Sequence, residues 1–176
     1  MLHCTVPEMP FEQLPVLEVD GKRIAQSYAI CRFLARRFGF AGQDAFEEAV
    51  VDSIVDQFRD YLFETRPFLV SLIGVGGGDK EVLKNALFLP QRAKLFGYMR
   101  KFLRENPPVS YLVGDSLTWA DLCLSEHVAT YSEMFPEMLE GYPEVRQKSI
   151  FFSEYYTLSW KYRQLLRYFF NRFYWT

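Results

Sequence analysis

The chain has 176 residues, of which 49% are hydrophobic, 24% charged and 18% aromatic, with a formal net charge of −2. That balance can fill a core and excludes wholesale disorder. No apolar stretch reaches membrane-spanning length and the opening residues MLHCTVPEMP lack the basic-then-apolar run of a signal peptide, so a cytoplasmic location is expected.

Charge and aromatics are unevenly shared along the chain. Residues 146–176 hold 12 of the 31 aromatics and six Lys/Arg against the single acid Glu154. The remainder is acidic, which argues against a nucleic-acid surface. Cys4, Cys31 and Cys123 are far apart and form no CxxC pair, so neither a disulfide framework nor a metal site is expected. Cys31 and Cys123 fall inside helical patterns and read as small core residues.

In chain order, the first readable unit runs from Leu14 to Ala25. Val16, Leu17 and Val19, then Asp20-Gly21, then Ile24, predict two short strands around a two-residue turn, because Asp-Gly tolerates the positive φ that such turns require. A helix follows, with Ser27 placed to cap it, Ile30, Phe33 and Leu34 at helical spacing, and Gly39 to end it. Val51, Ile54, Val55, Phe58 and Leu62 predict a long helix reaching about Phe68. Next comes the glycine cluster of residues 71–80. Lys80 ends it, but Asp79 precedes that lysine and Glu81 follows, so the phosphate-loop pattern is not met and a flexible helix connector is the better reading.

Leu95, Phe96, Met99, Phe102 and Leu103 predict a second helix with Pro90 near its start or at a kink. A third begins at Thr118, where Ser116-Leu-Thr-Trp-Ala-Asp121 reads as a capping box: the Thr118 hydroxyl accepts from an amide near Asp121 while the Asp121 carboxylate reaches back, and Leu117 is available as a staple. Such a cap is worth about 1 kcal/mol, a structural role for both residues. In the tail, Leu158, Tyr162, Leu165, Leu166, Phe169 and Phe173 share one face opposite Lys161, Arg163, Arg167 and Arg172, a pattern suited to an anionic membrane or a partner helix.

The segment from Met9 to Ala35, MPFEQLPVLEVDGKRIAQSYAICRFLA, resembles the glutathione-binding half of a sigma-class glutathione transferase of the nematode type. The resemblance resumes in residues 38–42, in 51–61 (VDSIVDQFRDY) and in 111–122 (YLVGDSLTWADL), covering roughly residues 9–145. It implies an α+β, mostly α fold: a partial thioredoxin-like domain over residues 1–40, an all-α domain over 41–145, and a divergent aromatic and basic tail over 146–176. Glutathione is then the co-substrate and a small hydrophobic electrophile its acceptor. The resemblance implies a cis Pro15, a main-chain contact from Leu14 to the tripeptide, Gln13 beside it, and Gln26 and Ser27 on the γ-glutamyl carboxylate, with the helix N-terminus favouring the anion.

Asp60, on one face with Asp52 and Asp56, matches the residue that reaches across a homodimer to the partner's γ-glutamyl amino group. Arg59 departs from the carboxylate of the vertebrate prostaglandin D synthase branch, which argues against divalent-ion modulation. Family chains carry a thiolate-stabilising Tyr on a strand ahead of this region. No catalytic residue is assigned here, because Tyr28 is placed for packing, and impaired conjugation is expected. The alternative is a non-catalytic glutathione or hydrophobic-ligand binding protein or a dimerisation module.

Overall fold

A computed structural model of the chain describes residues 9–148, apart from 73, 75, 107–110 and 133–135. The helical pattern of residues 158–173 and Cys4 lie outside the described residues.

Two strands, β1 (Val16–Val19) and β2 (Lys22–Ala25), pair antiparallel with Val16 opposite Ala25 and Val19 opposite Lys22. The turn is the expected one: Asp20 and Gly21 have φ of 51° and 73°, the left-handed pair that matches the twist of a hairpin. Across the ladder Glu18 faces Arg23, and their side chains meet at 3.3 Å. A two-stranded hairpin is marginal alone, and here α1 (Ser27–Phe38) packs beside it. Gly39 ends α1 at φ 77°, with Arg36 and Arg37 in the last turn where cations favour the carbonyl end.

The start of α1 departs from expectation by one residue. Ser27 is already helical, and the non-helical cap position belongs to Gln26, with φ 72° and ψ 116°. The first helical bond, Ile30 N–H to the Gln26 carbonyl at 3.0 Å, fixes that assignment, and no side chain caps the turn. A serine can cap only from a non-helical backbone.

Helix α2 (Ala45–Leu72) is capped by Asp44, whose carboxylate accepts from the amides of Phe46 and Glu47 at 2.8 and 2.9 Å. It continues one turn past the expected end and through Pro67, where the Thr65 hydroxyl donates to the Tyr61 carbonyl at 2.7 Å. The glycine segment connects it to α3 (Lys80–Leu83), which Asp79 caps through the amides of Glu81 and Val82. A π-helical turn over Lys84–Phe88 leads into α4 (Leu89–Glu105). Pro90 explains the wide turn: it brings no N–H to the ladder and its ring crowds the carbonyl four residues back. Helix α5 (Trp119–Ser132) and a 3₁₀ turn (Pro136–Leu139) follow, and residues 143–148 are again helical.

The core lies where α2, the π turn, α4 and α5 meet. Val51, Val55, Phe58, Phe88, Phe96, Met99, Trp119, Val128 and Met138 are buried in it, so the apolar spacing read along α2 and α4 does mark the inner face. Ten of the fourteen residues of α5 are buried, making it the central helix of the bundle. Within it Tyr61 Oη and His127 Nε2 are 3.0 Å apart, a polar pair closed off among Phe58 and Tyr131. Among the described residues no helix is long and apolar enough to cross a membrane.

Candidate functional site

The hairpin register decides what the N-terminal unit presents. Since Val16 pairs with Ala25, the residues just beyond them, Leu14-Pro15 on one strand and Gln26-Ser27 on the other, emerge at the same end of the hairpin. The Leu14–Pro15 peptide is cis, as the resemblance implies. Gln13 and Gln26 are exposed, whereas Leu14, Pro15 and Ser27 are half-buried. The first turn of α1 carries no acidic residue and no capping side chain, so its amide ends point toward whatever approaches that end of the hairpin. Free helical amides and the helix dipole favour an anion there.

Helix α1 is held against α2 by complementary charge. Arg32 lies 3.1 Å from Asp52 and 2.6 Å from Asp56, and its guanidinium stands 5.7 Å over the Trp119 ring, joining α1, α2 and α5. Burial pulls its pKa down, but hydrogen bonds and charge from Asp56 and Asp52 outweigh that and leave it raised. One turn on, Arg36 pairs with Glu48 and lies 3.7 Å from Asp52. The acidic row of α2 is therefore largely a docking face for α1. The signal was present as basic residues at 32 and 36 matched by acids at 48, 52 and 56. A backbone bond adds to the docking: Trp119 N–H donates to the Phe40 carbonyl at 2.9 Å.

Asp60 is not part of that docking. It stays exposed, accepts from the Gln57 amide at 3.2 Å and lies 3.8 Å from Arg59. With Gln57, Arg59, Glu64, Lys94 and Tyr98 it lines a cleft of about 340 Å³ between α2 and α4. Within one chain, then, Leu14, Pro15, Gln26 and Ser27 come together while Asp60 stands on the neighbouring helix.

Tyr28 packs against the core, and burial pushes its hydroxyl well above the ordinary tyrosine range. Burial likewise pushes the Cys31 thiol up to about 12, with Arg32 opposing, and Cys123 is buried and raised for the same reason. Both thiols are protonated packing groups at neutral pH. No cluster of three or more His, Cys, Asp or Glu suited to a metal occurs among the described residues.

Thr118 and Asp121 lie away from that end of the hairpin, at the start of α5. Asp121 Oδ2 accepts from both the amide and the hydroxyl of Thr118 at 2.8 Å, so the carboxylate reaches back as expected, although the hydroxyl donates to it. Two further contacts were not legible. Asp121 Oδ1 accepts from the Leu112 amide at 2.8 Å and lies 2.8 Å from Lys148 Nζ, with both charged side chains buried. Burial holds the Lys148 ammonium below the usual lysine range even though Asp121 opposes it.

Comparison with known proteins gives two domain matches: residues 6–36 to the N-terminal domain of glutathione S-transferases, and residues 65–149 to their C-terminal domain. A probable glutathione S-transferase 5 of Caenorhabditis elegans is 52% identical over 120 residues, covering 68% of this chain and 58% of that protein. The glutathione S-transferase 1 of Ascaris suum is 44% identical over 141 residues, covering 80% and 68%. The chain thus spans roughly three fifths to two thirds of the length of these relatives. Among solved structures, a monomeric glutathione S-transferase of the hookworm Necator americanus is 53% identical, with a TM-score of 0.79 over 82% of this chain and 70% of that one. The glutathione S-transferase of Ascaris lumbricoides gives the same TM-score at 42% identity, over 85% and 72%.

Proposed function

Because the chain belongs to the glutathione S-transferase family, with nematode proteins as its relatives, we propose that it binds glutathione at the end of the hairpin and serves conjugation to hydrophobic electrophiles, as a sigma-class member. The observation that carries this reading is the convergence, fixed by the Val16–Ala25 register, of the cis Leu14–Pro15 peptide with the uncapped start of α1 at Gln26 and Ser27. Leu14 offers main-chain groups to an extended peptide, as strand addition requires, with Gln13 beside it. Ser27 and the first amides of α1 receive a carboxylate, and Gln26 adds a side-chain amide. Asp60, exposed on α2, is available to the amino group of a ligand held by a second copy in a homodimer.

Bound glutathione supplies a thiolate nucleophile; the chain's part is to hold the tripeptide and to lower the thiol pKa. Tyr28 is poorly suited to that second task, since its hydroxyl is buried and raised in pKa. That favours a second reading, in which these 176 residues bind glutathione with little turnover.

Calorimetric titration with glutathione tests the site. Ser27→Ala is expected to weaken binding about tenfold, as loss of a hydrogen bond to a charged group implies, while leaving the melting temperature unchanged because Ser27 caps nothing. Failure of the unsubstituted chain to bind would overturn the assignment. Turnover of 1-chloro-2,4-dinitrobenzene separates the two readings: conjugation well above the uncatalysed rate supports the first, and binding without it supports the second.

A further inference from the structure

Arg59 is a residue of α2 whose side chain meets the first turn of α1. Its guanidinium lies 5.7 Å from the centre of the Tyr28 ring, and Tyr28 directly follows Ser27 in the first turn of α1. The same guanidinium is 3.5 Å from Asp56 and 3.8 Å from Asp60. An exposed arginine on a helix face ordinarily samples many rotamers in water, whereas these contacts fix Arg59 between the acidic row and the start of α1. Asp56 is also held at 2.6 Å by Arg32, so the Asp56 charge is shared and Arg59 retains positive charge toward solvent, where half of its side chain is exposed. Successive residues leave a helix about 100° apart. Arg59 thus reaches the Tyr28 ring of α1 in its own chain while remaining half-exposed, and Asp60 beside it is exposed too.

We propose that Arg59 is a specificity-determining residue that receives the α-carboxylate of the γ-glutamyl group arriving at Gln26 and Ser27. This rests on the glutathione reading above. Helix amides supply partial charges at that spot; Arg59 supplies a full one, with two or more donors in a planar fork suited to a carboxylate. The Tyr28 ring, 5.7 Å from the guanidinium, brings the residue after Ser27 beside that fork although its own hydroxyl is buried.

The experiment compares glutathione with 4-aminobutyryl-cysteinylglycine, the same tripeptide without its α-carboxylate, by calorimetry on the full chain at two salt concentrations. Arg59→Gln should weaken glutathione about 10- to 100-fold and the decarboxylated analogue less than about twofold, the range for a charge-assisted hydrogen bond. Arg59→Lys should recover part of the loss. Added salt should weaken glutathione more for the unsubstituted chain than for Arg59→Gln. Equal losses for both ligands in Arg59→Gln, or none for either, would overturn the proposal while leaving the glutathione site intact. Absence of glutathione binding by the unsubstituted chain would overturn the site and the proposal together. The two failures are read from different proteins.

Discussion

Replacing Asp121 with Ala is expected to cost the fold about 3–5 kcal/mol, the range for removing one partner of a buried ion pair. The reason is what the carboxylate leaves behind. Lys148 is 2% exposed and would remain as a buried ammonium without its counter-ion, while the amides of Leu112 and Thr118 would lose their acceptor. These contacts join the segment before α5, the first turn of α5 and residues 143–148, so the loss is shared by three parts of the bundle. Lys148→Met should cost less, about 1–2 kcal/mol, because Asp121 keeps two N–H donors and the Thr118 hydroxyl. Urea denaturation followed by circular dichroism measures both. A larger loss for Lys148→Met than for Asp121→Ala would show that the cation, and not the carboxylate, organises this junction.

Acid should destabilise the protein above the range in which carboxylates titrate. His127 is buried beside Tyr61, Phe58 and Tyr131, and burial lowers its pKa from 6.5 to about 3. The unfolded chain takes up a proton on this ring as pH falls through 6.5, whereas the folded chain does so only near 3. The neutral ring's contribution is therefore fully present above pH 6.5 and is lost progressively as pH falls toward the folded pKa. At about 1.4 kcal/mol per unit, stability at pH 5 should be roughly 2 kcal/mol below that at pH 7.5 from this group alone. His127→Gln, which keeps an acceptor for the Tyr61 hydroxyl, should flatten that part of the profile. Urea midpoints that fall in parallel for the two proteins between pH 7.5 and 5 would reject the assignment to His127.

The elements were legible in the sequence wherever one local rule governed them. Asp20-Gly21 fixed the hairpin, and apolar spacing gave the inner faces of α1, α2 and α4, whereas of α5 only its start was read. The start of α1 was misplaced by one residue because the positive φ of Gln26 comes from the exit of the hairpin, and glutamine carries no sequence signal for that conformation. The π turn was missed because Pro90 told of a disruption without telling its form. Of the candidate site, residues 13–15 and 26–27 were legible through the resemblance, and the register explains their convergence. The long-range partners were not: Arg32 with Asp52 and Asp56, Arg59 with Tyr28, and Lys148 with Asp121 each depend on how whole helices pack. Charges 24 or 27 positions apart cannot be matched by periodicity within one helix.

The docking of α1 also bears on how the chain is made. Synthesis proceeds from the N-terminus, so the hairpin and α1 emerge before the bundle helices that hold them. Asp52 and Asp56 follow within a few turns of α2, but the Trp119 amide that bonds the Phe40 carbonyl, and the ring beneath Arg32, arrive only near the end of the bundle. Until then the nascent N-terminal unit has a two-stranded sheet and an amphipathic helix with an incomplete surface to cover it. The part of the molecule that would grip glutathione is thus translated ahead of the bundle and among the last to be secured.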